Sequence, residues 1–233
     1  MTDKKKDLTS SSSRDINKFL KNVAATPRLK PAGQRGRLIF SMDATASREP
    51  AWDNACQIQA EMFSETASLG GLDIQLCYYR GFAEFNVSEW TGNSEQLLRQ
   101  MTAVTCLGGH TQIEKILSHA IRETRQAKVD ALVFVGDCLE EPVDELCRLA
   151  GELALLGVPV FVFHEGYDPI AESGFRQIAT LSRGAYCAFD SGSAQQLKDL
   201  LGAVAVYAAG GRRALENFNK RKGKVVLQLL HKQ

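Results

Sequence analysis

The chain has 233 residues, 44% of them apolar and 24% charged, with a formal net charge of +1 at pH 7. That length and balance suit one good-sized globular domain with appendages and leave little room for a second full domain. A charge so near zero excludes a global field that steers the protein to nucleic acid or an acidic membrane, and no stretch reaches the roughly 20 apolar residues of a spanning helix.

Residues 1–13, rich in Lys, Asp, Ser and Thr, cannot bury enough apolar surface to offset their ordering entropy, and a disordered tail is expected there. They also lack the apolar core of a signal peptide. The six cysteines, Cys56, Cys77, Cys106, Cys138, Cys147 and Cys187, contain no C-x-x-C pair. They read as small buried hydrophobes, and a cytoplasmic, reducing location is expected.

Residues 14–34 form a second unit, a short helix and its linker. Ile16, Phe19, Leu20 and Val23 recur at helical spacing until Pro27 and Pro31 stop the pattern. Such a helix docks on the main domain or, in a second reading, enters a partner's groove.

The main domain is expected over 35–208. A strand over Arg37–Asp43 precedes a helix carrying Trp52, Ala55, Cys56, Ile58, Met62 and Phe63, which ends near Gly70-Gly71. Leu72–Arg80 alternates as a strand, and Gly81 turns it straight into Phe82–Val87, a separation that permits only an antiparallel hairpin. A helix over Ser94–Thr102, the loop Cys106-Leu107-Gly108-Gly109-His110-Thr111 and a helix over Gln112–Ala127 follow. Ala131–Gly136 is a continuous apolar run, hence a strand covered on both faces. A helix over Pro142–Leu156, a strand over Val158–Phe163, a helix over Pro169–Ser182, a short strand over Tyr186–Phe189 and a helix over Ser193–Ala208 complete it. The fold class is α/β: a doubly wound, mostly parallel six-stranded sheet with one antiparallel edge strand and helices on both faces.

Residues 209–233 form a basic extension. The run Arg212–Lys224 could touch nucleic acid, but it has no interleaved aromatic beyond Phe218, and a solvated face is the favoured reading. Val225–Leu230 has strand character and must add to a sheet edge or be covered by a partner.

The chemistry starts at Leu38–Ser47, an apolar strand that ends in Asp43 and is followed by hydroxyls at Thr45 and Ser47. Alternate residues of an extended or tightly turned segment point the same way, so three hard oxygens can converge on a small divalent cation. The competing reading makes Thr45 and Ser47 helix caps and Asp43 a turn residue. In an open sheet, ligands lie beyond the carboxyl ends of the strands where the winding reverses. If Ala131–Gly136 returns beside the first strand, Asp137 and Asp43 flank that crevice, and Thr111 leans over it.

These five residues resemble the metal-ion-dependent adhesion site of the von Willebrand factor A domain family. Its pattern is Asp-x-Ser-x-Ser after the first strand, a Thr in a glycine-containing loop and an Asp after the fourth strand. Here it stands as Asp43-Ala44-Thr45-Ala46-Ser47, Thr111 and Asp137, over about residues 35–208. Thr45 replaces the more usual Ser and keeps the hydroxyl. The resemblance implies a Rossmann-like fold, metal-bridged recognition of another protein, and a free-standing intracellular member that works with ATPase chaperones or larger assemblies.

Two carboxylates and three neutral hydroxyls leave a doubly charged cation with little surplus negative charge around it, so a partner's Asp or Glu is the expected last ligand and Mg²⁺ or Mn²⁺ the expected ion. Gly109, His110, His164 and Tyr167 are expected to face that partner; for His110, His164 and Tyr167 local packing is the alternative. Thr111-Gln112-Ile113-Glu114 fits a capping box, which metal ligation need not exclude, and Asp137 could be a helix-start carboxylate.

Catalytic templates fit poorly. No G-x-S-x-G elbow follows a strand and no phosphate-binding glycine loop occurs. Glu140 and Glu141 could act as general base of a metal-dependent hydrolase, but they read as ordinary first-turn acids. The expected function is that of a non-enzymatic adaptor, with a nucleic-acid module built on the basic tail as the rival.

Overall fold

Strand β1 (Gly36–Asp43) pairs in parallel with a strand on each side: Leu38 stands opposite Ile74 of β2 (Leu72–Arg80) and Ala131 of β4 (Ala131–Gly136). Its central place follows from its sequence, because every side chain except that of Arg37 is buried and only a strand covered on both faces satisfies such a run. Ser41, a buried hydroxyl within the run, donates to the Val133 carbonyl at 2.5 Å.

The computed structural model describes residues 18–23, 34–46, 49–189, 198–211, 214, 215, 217 and 218, with only the backbone at 49–51, 54, 57–61 and 68. Expectations for the tail 1–13, for Ser47, for Ser193 and for the segment Val225–Leu230 lie outside the described residues.

The sheet has six strands in the order β3 (Glu84–Val87), β2, β1, β4, β5 (Val160–Glu165), β6 (Ala185–Phe189). β3 is antiparallel to β2 at one edge, while β5 and β6 continue the parallel set. This is the expected α/β class. The winding reverses between β1 and β4, which puts the ends of both strands at one switch point.

Strand alternation sends Leu38, Phe40 and Met42 to one face and Ile39 to the other. The first face is covered by α1 (Glu49–Thr66), α2 (Ser94–Thr102), the helical residues 18–23 and α6 (198–211). Phe19 and Val23 are fully buried there, with the Phe19 ring 6.1 Å from Phe161 and 5.3 Å from Phe163. Helix α6 runs past Ala208, and Leu215 and Phe218 of the expected basic extension are buried on the same face. The second face is covered by α3 (Ile113–Gln126), α4 (Val143–Leu155) and α5 (Pro169–Leu181).

Three departures from expectation bear on the site. β5 begins at Val160 rather than Val158 and runs to Glu165, because Val158 donates its amide back to Leu153 at the end of α4 and Pro159 has no N–H for the ladder. His164 is therefore a strand residue. β3 begins at Glu84, leaving Phe82 at the hairpin tip, 80% exposed. The local capping box at α3 does not form: the N-cap residue Gln112 makes no side-chain cap, and Glu141 supplies it from another loop, accepting from Ile113 N at 2.7 Å and Glu114 N at 2.8 Å.

Candidate metal centre

Asp43 ends β1 on the face shared with Ile39, and Asp137 follows β4, its parallel neighbour. Both line one depression of about 260 Å³ together with Thr45 and Thr111, and Ala46, Gly108, Gly109, Cys138 and Glu140 complete its wall. Four of the five expected ligands thus meet at one place; Ser47, the fifth, lies outside the described residues.

The Asp43 carboxylate is held rigidly. The Thr45 amide donates to Oδ1 at 2.7 Å, an Asx turn of the kind Asp-x-Thr favours, and the Tyr79 hydroxyl donates to Oδ2 at 3.1 Å. Burial pushes the Asp43 carboxyl above the usual range; the Thr45 bonds pull it back, the nearby Asp137 charge pushes it up again, and the Tyr79 bond lowers it. Tyr79 is fully buried, and burial together with the Asp43 charge keeps its phenol well above the ordinary value, so it remains a donor.

The glycine loop is tied to both neighbours. Leu107 N donates to Ala44 O at 3.0 Å, and His110 N donates to Gly81 O of the hairpin at 3.2 Å. Gly109 passes so close to the hairpin that an added Cβ would lie 1.9 Å from Gly81 O. Its role is this close backbone approach. Thr111 accepts at Oγ1 from the Glu140 amide at 3.1 Å, which leaves the hydroxyl proton and one lone pair uncommitted by that bond.

Glu140 and Glu141 are not first-turn acids of α4, whose own first turn carries Asp144 and Glu145. Both carboxylates cross to the α3 side. Glu140 accepts from Thr111 N at 2.9 Å and stands 3.3 Å from His110 Nδ1, and these contacts hold its carboxyl below the usual range. Glu141 is spent on the α3 cap.

The residues expected to face a partner divide. His110 is exposed, its ring edge-on to Phe82 at 5.5 Å, and Tyr167 is 79% exposed. His164 is 1% exposed: its ring sits edge-on to Phe175, Nδ1 lies 2.8 Å from the Tyr186 hydroxyl and Nε2 3.2 Å from the Asp137 carbonyl. A ring so enclosed meets no partner directly, and its place is behind Asp137. Tyr79, Glu140 and Glu141 were not read from sequence as site-shaping residues. Only the odd-numbered alternation that puts Tyr79 on Asp43's face carried a signal.

The donor set can be tested against a cation. Among the described residues, no Lys, Arg or His side chain forms an ion pair with Asp43. A buried carboxylate beside a second one calls for a proton or a cation. Also among the described residues, no three His, Cys, Asp or Glu side chains gather as a metal cluster, so the set is carboxylates plus hydroxyls. Hard oxygens of this kind fit Mg²⁺ or Mn²⁺.

No protein-family model matches the chain, and no curated protein sequence matches it. Solved structures do. The von Willebrand factor type A protein from Catenulispora acidiphila superposes with a TM-score of 0.61 at 13% identity, covering 74% of this chain; this chain spans 43% of that one. The vWF domain of the type V pili tip protein Mfa5 from Porphyromonas gingivalis gives a TM-score of 0.59 at 10% identity, over 77% of this chain and 97% of that one. Proximal thread matrix protein 1 from the mussel byssus, solved with a zinc-occupied MIDAS motif, gives 0.53 at 14% identity, over 75% and 46%. Sheet order, the antiparallel edge strand and these superpositions agree, and the chain has the von Willebrand factor A fold.

Proposed function

We propose that the protein is a non-enzymatic interaction module that binds a divalent cation, Mg²⁺ or Mn²⁺, through Asp43, Thr45, Ser47, Thr111 and Asp137, and through it grips an Asp or Glu of a protein partner. One observation carries the reading: Asp43 ends β1, Asp137 follows its parallel neighbour β4, and the two carboxylates line the same depression with Thr45 and Thr111, close enough for like-charge repulsion. When bound, the cation would neutralise that repulsion and offer a coordination place to an oxygen from outside. The chain's own contribution is positioning. Thr45 N and Tyr79 hold Asp43, Glu140 N holds Thr111, and the glycine loop is fixed to the hairpin. Ser47 enters on the motif alone.

Two observations support the finer parts. All six cysteines are free, in keeping with a reducing, cytoplasmic setting. Both oxygens of Glu141 are engaged by backbone amides, which argues against its service as a general base.

Mg²⁺ and Mn²⁺ titration calorimetry on wild type and Asp43→Ala tests the cation; a lysate pulldown with and without EDTA, read by mass spectrometry, tests the partner. Wild type should bind the ion and an EDTA-sensitive protein, and Asp43→Ala neither. Equal ion affinity in the two proteins would overturn the reading.

A further inference from the structure

The depression lies between two groups of large apolar side chains that the fold leaves in solvent. On one side Phe82, 80% exposed, stands at the hairpin tip, and Leu107, 45% exposed, lies in the glycine loop. On the other, Tyr167 and Ile170, 79% and 69% exposed, occupy the loop and first turn after β5. Scattered apolar residues on a surface need no explanation, but four at the end of the sheet that carries Asp43 and Asp137 do.

Both groups are fixed relative to the depression. Gly81 is bonded to the glycine loop through His110 N at 3.2 Å, and Gly109 packs directly on it. The β5 loop is anchored by Asp168, which accepts from Ile170 N at 2.7 Å and Ala171 N at 3.1 Å. His164, one strand position before Glu165, stands within 3.2 Å of the Asp137 carbonyl.

All these segments follow the same ends of neighbouring strands, so the sheet supplies a ruler. The hairpin tip joins β2 and β3, and β5 lies beyond β1 and β4. At about 4.8 Å per strand the two apolar groups are about 17 Å apart, the reach of about five extended residues. The proposed cation site falls between them. A carboxylate matches the centre by charge, and apolar side chains match the flanks.

We infer that the partner presents its acidic residue within an extended segment that carries a large apolar side chain two or three positions to each side, one packing on Phe82 and Leu107 and the other on Tyr167 and Ile170. The inference rests on the cation-bridged reading above and specifies what kind of peptide that site selects.

Three synthetic Gly/Ser nonapeptides test it by fluorescence anisotropy on the full chain: a central Glu with Leu at both flanks, a central Glu with Ser flanks, and a central Gln with Leu flanks. In Mg²⁺ the Leu-flanked Glu peptide should bind on the order of tenfold tighter than the Ser-flanked one, and EDTA should abolish binding of both. Phe82→Ser and Tyr167→Ser should each remove part of that advantage. Leu155→Ser, an 88% exposed apolar residue at the far end of α4, should not. EDTA-sensitive binding of the two Glu peptides with equal affinity overturns this inference and leaves the cation reading standing. Leu-flanked peptides that bind equally with Glu or Gln, and equally in EDTA, overturn the cation reading and the inference built on it.

Discussion

Thr111 and Glu140 are joined by two hydrogen bonds of opposite sense: the Thr111 amide donates to Glu140 Oε2 at 2.9 Å, and the Glu140 amide donates to Thr111 Oγ1 at 3.1 Å. Two loops from different parts of the chain are locked by this exchange, and it fixes the Thr111 hydroxyl relative to Asp137. Removing the Glu140 carboxylate leaves the second bond in place and deprives the part-buried Thr111 amide of its acceptor. Glu140→Ala should cost about 1 kcal/mol in a denaturant melt and weaken Mg²⁺ binding. Glu140→Gln keeps an acceptor oxygen and should recover most of both. An alanine variant with unchanged Mg²⁺ affinity would show that the carboxylate plays no part in positioning Thr111.

Adjacent glycines in the same loop provide a sharper contrast. A Cβ at Gly109 would lie 1.9 Å from Gly81 O and 2.5 Å from Gly81 Cα, backbone atoms that cannot rotate away, whereas a Cβ at Gly108 meets nothing within 4 Å. Gly109→Ala should therefore separate loop from hairpin, at about 1–3 kcal/mol, and reduce ion affinity by displacing Thr111. Gly108→Ala should be close to neutral in both assays. Similar losses in the two variants would mean that the loop is not held by its approach to Gly81.

Elements defined by their own period were the readable part of this fold. Ala131–Gly136 was delimited as a strand to the residue, because six apolar positions end in Asp137, and β1 was recognised by the same abrupt change at Asp43. Asp43, Thr45, Thr111 and Asp137 could be grouped on the expectation that β4 returns beside β1 and on their order in the motif, and the strand order agrees with that expectation. What could not be read is chemistry supplied from a distance. Thr111 and Glu114 have capping-box spacing, yet the cap comes from Glu141, 27 residues beyond Glu114, and no local pattern announces such a partner. The β5 boundary differs for a local reason: Val158 has strand character, yet its amide closes α4 on Leu153 and Pro159 has no N–H for the ladder.

Asp43 makes the cation-free protein sensitive to pH in a direction opposite to most carboxylates. Burial, with Asp137 adding to it, raises its folded-state pKa above the unfolded value. Its contribution to stability is then fully present below the unfolded pKa and is lost as pH rises through the folded pKa, where the buried group must ionise. In EDTA at neutral pH, Asp43→Asn should melt at a higher temperature than wild type, since its oxygen still accepts from Thr45 N without the charge. The gain should vanish below about pH 3.8, the ordinary Asp value, where both states are protonated. Saturating Mg²⁺ should reverse the order at neutral pH by stabilising wild type alone. A variant less stable than wild type in EDTA at pH 7 would contradict the assignment of strain to this carboxylate.

The helical residues 18–23 bear on the choice between docking and partner binding. Phe19 is fully buried between Phe161 and Phe163, on strand β5. A helix held in reserve for a partner's groove would expose that ring. Phe19→Ala should cost about 3–5 kcal/mol, the range for a buried Phe, whatever partner is present. A loss below about 1 kcal/mol in a urea melt would return the segment to the partner-binding reading.

His164 carries the last test, because it joins acid stability to the site. Its Nε2 lies at hydrogen-bond distance from a carbonyl, Asp137 O, so that nitrogen bears the proton and Nδ1 accepts from the Tyr186 hydroxyl. Burial lowers the His164 pKa, with the Asp137 carbonyl bond opposing it, and burial lowers that of His119 as well. Stability from both rings is present above the unfolded value of 6.5 and is lost as pH falls toward the folded pKa, where the unfolded chain binds protons that the folded one resists. Asp43 works in the opposite sense, so the measurement belongs in Asp43→Asn protein. There the melting temperature should fall between pH 7 and pH 5.5, and His164→Gln should remove part of the fall. Protonation also reverses the Tyr186 bond, because an imidazolium Nδ1–H can only donate and the phenol oxygen must then accept. A slope unchanged by His164→Gln would assign the acid sensitivity to His119 alone and leave the Asp137 carbonyl held by something other than this ring.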